Sequence, residues 1–181
     1  LEYKEGPPGN TIKIFGSGFG SGEQNISLVY DSIPVLSGLS EDSIGSFQTS
    51  FVIPASSAGS HVIQAISPFS VASVNPEQHF TVIPTVNLSD NEGSVGQKLI
   101  VSAQGFAPET TVHLNYDETT LSSILTDELG SFRIELPVPE STHGDHIIQL
   151  IDELDNKQQT TFNVEDVPPA SPSLREPDDG A

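Results

Sequence analysis

The stretches Gly45-Ser46-Phe47-Gln48-Thr49-Ser50-Phe51-Val52-Ile53 and Gly130-Ser131-Phe132-Arg133-Ile134-Glu135-Leu136 decide the fold. After a shared Gly-Ser-Phe opening, Phe47, Phe51 and Ile53 fall on one side of an extended chain, as do Phe132, Ile134 and Leu136, with Arg133 and Glu135 opposite. A period of two belongs to a β-strand with one face in a core. Asp42 to Gly45 and Asp127 to Gly130 precede these strands with turn chemistry, because Asp caps a turn and Gly tolerates positive φ; each is expected to be a hairpin tip.

Working outward, the same pairing of landmarks continues from end to end, so the chain is a duplication. Gly18-Phe19 recurs as Gly105-Phe106, Tyr30-Asp31 as Tyr116-Asp117, Pro54 as Pro139, and His61-Val62-Ile63-Gln64 as His146-Ile147-Ile148-Gln149. Both copies close alike, on Phe80-Thr81-Val82 and Phe162-Asn163-Val164. Between the landmarks the first copy predicts strands at Thr11 to Phe15, Asn25 to Tyr30, Gly45 to Ile53, His61 to Ser67 and Gln78 to Ile83, with a weaker one near Ile33 to Leu36. The second predicts Lys98 to Ala103, Thr111 to Tyr116, Thr120 to Thr126, Gly130 to Leu136, His146 to Asp152 and Thr160 to Val164. The expected fold class is all-β: two tandem immunoglobulin-like antiparallel β-sandwich domains, over 1–84 and 85–166. Val82-Ile83-Pro84-Thr85-Val86 leaves almost no flexible linker between them, which predicts a stiff tandem rod. Residues 167–181 carry Pro168, Pro169, Pro172, Pro177 and Asp178-Asp179-Gly180, and read as an extended Pro/Asp-rich linker leading towards a further domain.

Composition narrows the function. A length of 181 residues suits two small domains. The formal charge of -19, with only six Lys and Arg, argues against nucleic acid, whose phosphates are neutralised by basic side chains. It also disfavours anionic lipid surfaces, and no long apolar run predicts membrane insertion by this segment. Cys is absent, so there is neither a disulfide framework nor a thiol nucleophile. Like charge opposes casual pairing of edge strands, and a monomer is expected.

The phrase Gly6-Pro7-Pro8-Gly9-Asn10-Thr11-Ile12-Lys13-Ile14-Phe15-Gly16-Ser17-Gly18-Phe19, echoed by Gly96, Gly105, Phe106 and Pro108, resembles the opening of bacterial and archaeal surface-protein Ig-like repeats similar to the IPT/TIG family. In that pattern a Gly-Phe pair ends the first strand, Gly-Ser-Phe begins a central one, and a Gly-x-Tyr leads into a late one; His61 and His146 stand where that Tyr would be. The resemblance spans roughly residues 6 to 165. It implies a spacer, adhesion module or accessory domain, located extracellularly or at the cell surface, and Pro172-Ser173-Leu174-Arg175-Glu176-Pro177 looks like a lead-in to another such domain.

Several residues are capable of chemistry, and each also suits a structural role. His61 and His146 follow a Gly turn at equivalent places, which suits a structural role at a strand start. His143-Gly144-Asp145-His146 has ligand-like residues; on one strand neighbouring positions face opposite ways and do not close on one ion, whereas a turn there would let them converge on a metal. Asp152, Glu153 and Asp155 near Asn156, and Asp90, Asn91 and Glu92 near the junction, raise calcium, which at the junction would stiffen the rod, although no Asp-x-Asp-x-Asp-Gly loop occurs and solvated charge is the preferred reading. Gly16 to Gly22 lacks the Lys and helix of a phosphate loop, and no Gly-x-Ser-x-Gly elbow exists. No catalytic, cofactor-binding or metal residue is therefore assigned, and the chain is read as no enzyme. The expected function is a noncatalytic structural, spacer or adhesion module whose partners are neighbouring domains of the same chain and a protein or glycan ligand. The alternative is a carbohydrate-binding or accessory module of a secreted hydrolase, for which exposed rings would be needed; Trp is absent and the tyrosines are Tyr3, Tyr30 and Tyr116.

Overall fold

The computed structural model describes residues 1–20, 23–68 and 77–166. The expected linker at 167–181 and the end of the Gly-rich run, Gly22, lie outside the described residues. The first half contains β1 (Glu5–Gly6), β2 (Thr11–Ser17), β3 (Ile26–Tyr30), β4 (Ile33–Leu39), β5 (Ser46–Val52), β6 (Gly59–Ile66) and β7 (Gln78–Val82). The second contains β8 (Thr85–Leu88), β9 (Glu92–Gly93), β10 (Lys98–Gln104), β11 (Thr111–Tyr116), β12 (Thr119–Leu125), β13 (Phe132–Pro137), β14 (Gly144–Asp152) and β15 (Lys157–Val164).

These strands form two immunoglobulin-like sandwiches. In the first, a sheet of order β1-β7-β6-β3-β4 faces the pair β2-β5; in the second, β12-β11-β14-β15-β9 faces β13-β10-β8. Among the described residues all pairings are antiparallel except two: β1 runs parallel to β7, and β9 parallel to β15. The two-residue strands β1 and β9, too short to show a period, were not expected from the sequence. Each restores hydrogen bonds to the edge of a longer closing strand, Thr81 N–H donating to Lys4 O (2.8 Å) and Asn163 N–H to Asn91 O (2.8 Å).

Two separate cores follow from the alternation. One gathers Ile12, Ile14, Ile26, Leu28, Tyr30, Phe47, Phe51, Ile53, Ile63, Phe80 and Val82. The other gathers Leu99, Val101, Ala103, Phe106, Val112, Leu114, Tyr116, Val138, Ile148, Leu150, Phe162 and Val164. Phe80 and Phe162 are fully buried at equivalent places, each removing apolar surface worth about 1.5–3 kcal/mol. Phe132, Ile134 and Leu136 pack against the second core from β13, as the alternation requires, while Arg133 and Glu135 are exposed.

The Asp-to-Gly turns are built as expected but are not hairpin tips. Asp42 Oδ1 accepts from Ile44 N–H (3.0 Å) and Ser46 N–H (2.9 Å), and Asp127 Oδ1 accepts from Leu129 N–H and Ser131 N–H (both 2.9 Å). Yet β4 and β5 belong to different sheets, as do β12 and β13. Each turn therefore carries the chain across the sandwich. The shared Gly-Phe motif anchors this crossing: Phe19 N–H donates to Gly45 O (3.1 Å) and Phe106 N–H to Gly130 O (3.0 Å). The paired rings then meet, Phe19 on Phe47 at 5.4 Å and Phe106 on Phe132 at 6.4 Å. Two motifs far apart in sequence recur together because they are two halves of one contact.

Candidate functional site

The histidines singled out by the duplication sit in equivalent clasps. His61 is the third residue of β6 and His146 the third of β14, so both lie within strands rather than at their first residues. His146 Nδ1 lies 2.7 Å from Asp117 Oδ2, and its Nε2 2.7 Å from Thr142 O. His61 repeats this with Asp31 Oδ2 (2.5 Å) and Ser57 O (2.9 Å). The second oxygen of each carboxylate accepts from the backbone after the histidine, Val62 N–H at 2.8 Å and Ile147 N–H at 2.9 Å. Asp31 and Asp117 are free to do this because both adopt positive φ, 46° and 53°, at the tight turns following β3 and β11.

A tyrosine completes each clasp. Tyr30 stacks on His61 at 5.2 Å and Tyr116 on His146 at 4.9 Å. The Ser56 hydroxyl donates to Pro54 O (3.0 Å), which leaves the Tyr30 hydroxyl to donate to Ser56 Oγ (2.9 Å); Tyr116, Ser141 and Pro139 repeat the arrangement. Burial raises the pKa of both tyrosine hydroxyls, opposed in part by these serine contacts. The hydrogen bond from His146 holds the Asp117 carboxyl below its usual range, and the bond to Asp117 raises His146. The clasp ties the turn after β3 or β11 to the loop before β6 or β14. All of its polar atoms are occupied by one another, so it offers no nucleophile with a free base. The signal for it was present in the sequence as the recurrence of Tyr-Asp and of His followed by Gln, but the partners stand about thirty positions apart in sequence, as the His61–Asp31 and His146–Asp117 separations record.

The other singled-out clusters do not converge. In His143-Gly144-Asp145-His146, the Asp145 carboxylate accepts from Asn163 Nδ2 (2.7 Å), His143 Nδ1 lies 3.4 Å from Val164 O, and His146 points into its clasp. Asp155 pairs with Lys157 Nζ (2.7 Å). Asp152 is 4% exposed, and its two oxygens accept from Ala107 N–H (3.0 Å), Leu154 N–H (2.9 Å), Asn156 N–H (2.9 Å) and Asn156 Nδ2 (2.7 Å). Asn91 near the junction is engaged through its backbone with Asn163. Among the described residues no group of three or more His, Cys, Asp or Glu is placed to hold a metal, and no helix is long and apolar enough to cross a membrane.

The first half meets the same backbone demand differently, and sequence reading missed this. Gly20 N–H, the counterpart of Ala107 N–H, donates to Glu23 Oε2 (2.8 Å), and Ser67, at the place of Asp152, donates to the other Glu23 oxygen. Glu23 is nearly buried in doing so. The acid has moved from one strand end to a neighbouring loop while the donor stays.

Tyr30 and Tyr116 belong to the cores, and among the described residues of the first half Tyr3 (60% exposed) and Phe15 (59% exposed) are exposed rings. Phe15 borders an open cleft of about 560 Å³ lined by Gly16, Ser40, Glu41, Asp42, Phe47 and Gln48 among others.

No protein-family model and no characterised protein sequence matches the chain. Solved structures similar to it include a Yersinia pseudotuberculosis adhesin, InvE, at 12% identity, covering 88% of this chain and 55% of that one with a TM-score of 0.37. The BSP domain of a biofilm-associated protein aligns at 18% identity over 86% of this chain and 28% of that one, TM-score 0.32. A Bacteroides ovatus mixed-linkage glucan utilisation locus protein, SGBP-B, solved with a mixed-linkage heptasaccharide, aligns at 14% identity over 90% and 43%, TM-score 0.38. The chain thus spans about half or less of the length of these structures.

Proposed function

We propose that this chain is a noncatalytic spacer or adhesion segment of a larger extracellular or cell-surface protein, built as tandem Ig-like repeats of the kind that resemble the IPT/TIG family. Its units are the sandwiches over 1–84 and 85–166, with 167–181 as a Pro/Asp-rich linker. Its partners are neighbouring domains and a protein or glycan ligand, and it works as a monomer.

The junction carries this reading. Only Ile83 and Pro84 separate β7 from β8, and bonds cross between the halves: Ala58 N–H donates to Phe106 O (2.9 Å), and Gln158 Nε2 to Pro84 O (3.2 Å). Gly105 adds a close approach, since a Cβ there would lie 2.9 Å from Ile83 O and 3.1 Å from Pro8 Cδ. A joint this short, bonded on two sides, suits holding a distance better than bending around a substrate. Small-angle scattering of the chain tests it: a two-lobed extended profile agrees, and a compact collapsed one rejects the spacer role.

A glycan-binding accessory role is the second reading, favoured by Tyr3 and Phe15 standing exposed. A glycan array in which no ligand is retained by the chain but lost in Tyr3→Ala and Phe15→Ala removes that reading.

A further inference from the structure

The hydrogen bond from Ala58 to Phe106 is the middle link of a longer series. The peptide group joining Ser57 to Ala58 has its carbonyl against His61 Nε2 (2.9 Å) and its N–H on Phe106 O (2.9 Å). The peptide group joining Phe106 to Ala107, whose carbonyl receives that bond, donates its own N–H to Asp152 Oδ2 (3.0 Å). A peptide is planar, with its C=O and N–H pointing opposite ways, so each group is a rigid link between its two partners. The series runs from Asp31 Oδ2 through both ring nitrogens of His61, across the 57–58 and 106–107 peptides, to Asp152. It passes from the first half to the second at Ala58.

From His61 onward every bond donates towards Asp152. An imidazolium at the donor end makes the Ala58 N–H a stronger donor, a carboxylate at the acceptor end makes the Phe106 oxygen a stronger acceptor, and bonds in such a series polarise one another. The far end is dry, with Phe106, Ala107 and Asp152 buried, and Ser57 and Ala58 are half-buried. Neutral imidazole has one proton for two acceptors. The Asp31 carboxylate, 2.5 Å from Nδ1, keeps it, which sets the bare Nε2 lone pair against the Ser57 oxygen. The 57–58 peptide then has to turn, and its N–H leaves Phe106 with it.

The ionisable groups around the ring are few. Asp31 faces Nδ1 from the turn after β3, and Tyr30 stacks on the ring with its hydroxyl on Ser56 and its pKa raised by burial. On β7 the neighbour across the ladder is Phe80, while His79 turns to Ser60 Oγ (3.2 Å). β5 contributes Phe51 against Tyr30 and holds no ionisable residue, nor does the 54–58 loop.

We propose, resting on the spacer reading of this junction, that His61 is a proton-operated latch: charged, it locks Ala58 onto Phe106 and stiffens the tandem; neutral, its proton gone to solvent, it frees that bond and loosens the joint. His146 holds Thr142 O in the same way, but the bonds described between the halves, from Ala58 and from Gln158, do not pass through it. It is therefore the internal comparison.

Hydrogen exchange at the Ala58 amide, followed by NMR on the whole chain and divided by the rate of an unstructured peptide at the same pH, reads the latch. Protection is expected to fall about tenfold from about pH 5 to about pH 8, the interval in which histidine changes charge. That dependence should vanish in His61→Gln and persist in His146→Gln. A flat profile in the unaltered chain overturns the proposal without recourse to a variant, and so does a profile that survives in His61→Gln. Small-angle scattering of the same samples keeps the latch and the spacer apart: an extended two-lobed shape with flat Ala58 protection removes the latch alone, whereas a compact shape at the lower pH removes the spacer.

Discussion

His146 places Nδ1 against a carboxylate oxygen of Asp117 and Nε2 against the carbonyl oxygen of Thr142, both at 2.7 Å, so each ring nitrogen faces an acceptor. Only the imidazolium has a proton for each. The histidine pKa is accordingly raised and that of Asp117 lowered. A raised histidine contributes stability that is complete below its unfolded value near 6.5 and is lost as pH rises through the folded value. A lowered Asp contributes above its unfolded value near 3.8 and is lost as pH falls through the folded one. The second unfolding transition should therefore be highest from about pH 4 to about pH 6.5 as regards this pair, and decline on the alkaline side. In His146→Gln that alkaline decline should disappear; calorimetry across pH 4 to 9 decides, and an unchanged slope in the variant sinks the account.

Gly130 and Gly96 separate backbone conformation from close approach. Both have positive φ, 71° and 80°, but a Cβ at Gly130 would lie 1.9 Å from Phe106 O, whereas one at Gly96 meets nothing within 4 Å. Gly96→Ala should cost about 1 kcal/mol, the left-handed penalty alone. Gly130→Ala should cost about 3 kcal/mol or more, because the crossing turn must shift off the Gly-Phe anchor. Denaturant unfolding of the second transition measures both.

Asp152 is a buried carboxylate with four donors on it. Asp152→Ala leaves Ala107 N–H without its acceptor inside the sandwich, at a cost of about 3 kcal/mol in the same transition. Glu23→Ala should act in the same way on the first transition, because Glu23 serves the equivalent Gly20 N–H. If only one of the two variants is destabilised, the equivalence of these carboxylates is wrong.

Calcium is expected to leave both unfolding transitions where they are, with chelator as the reference. Asp152 is saturated by N–H donors and Asp155 is paired with Lys157, so an ion would have to displace them. A calcium-dependent rise, which binding to the native state produces by mass action, would contradict this.

Tyr30→Phe and Tyr116→Phe delete one hydroxyl each while keeping the ring stacked on its histidine. Each should cost about 1 kcal/mol through the Ser56 or Ser141 bond, in its own transition and not in the other. The separate cores underlie that expectation.

What the sequence by itself determined is what short-range pattern can encode. The alternation through Phe47, Phe51 and Ile53 specified a strand and its buried face, because side chains on successive residues must point to opposite sides. The recurrence of Gly-Phe, Tyr-Asp, Gly-Ser-Phe and His specified two copies of one fold. Tertiary structure alone decided what depends on residues far apart. The turn chemistry of Asp42 and Asp127 prescribes a local reversal but not which sheet receives the next strand, so two expected hairpins are crossings between sheets. The histidines looked like strand starts until their partners, about thirty positions upstream, came into hydrogen-bonding range. Glu23 and Asp152 satisfy equivalent backbone donors, Gly20 N–H and Ala107 N–H, from non-equivalent points of the two halves, a solution invisible to register because any carboxylate that reaches the donor meets the same physical demand.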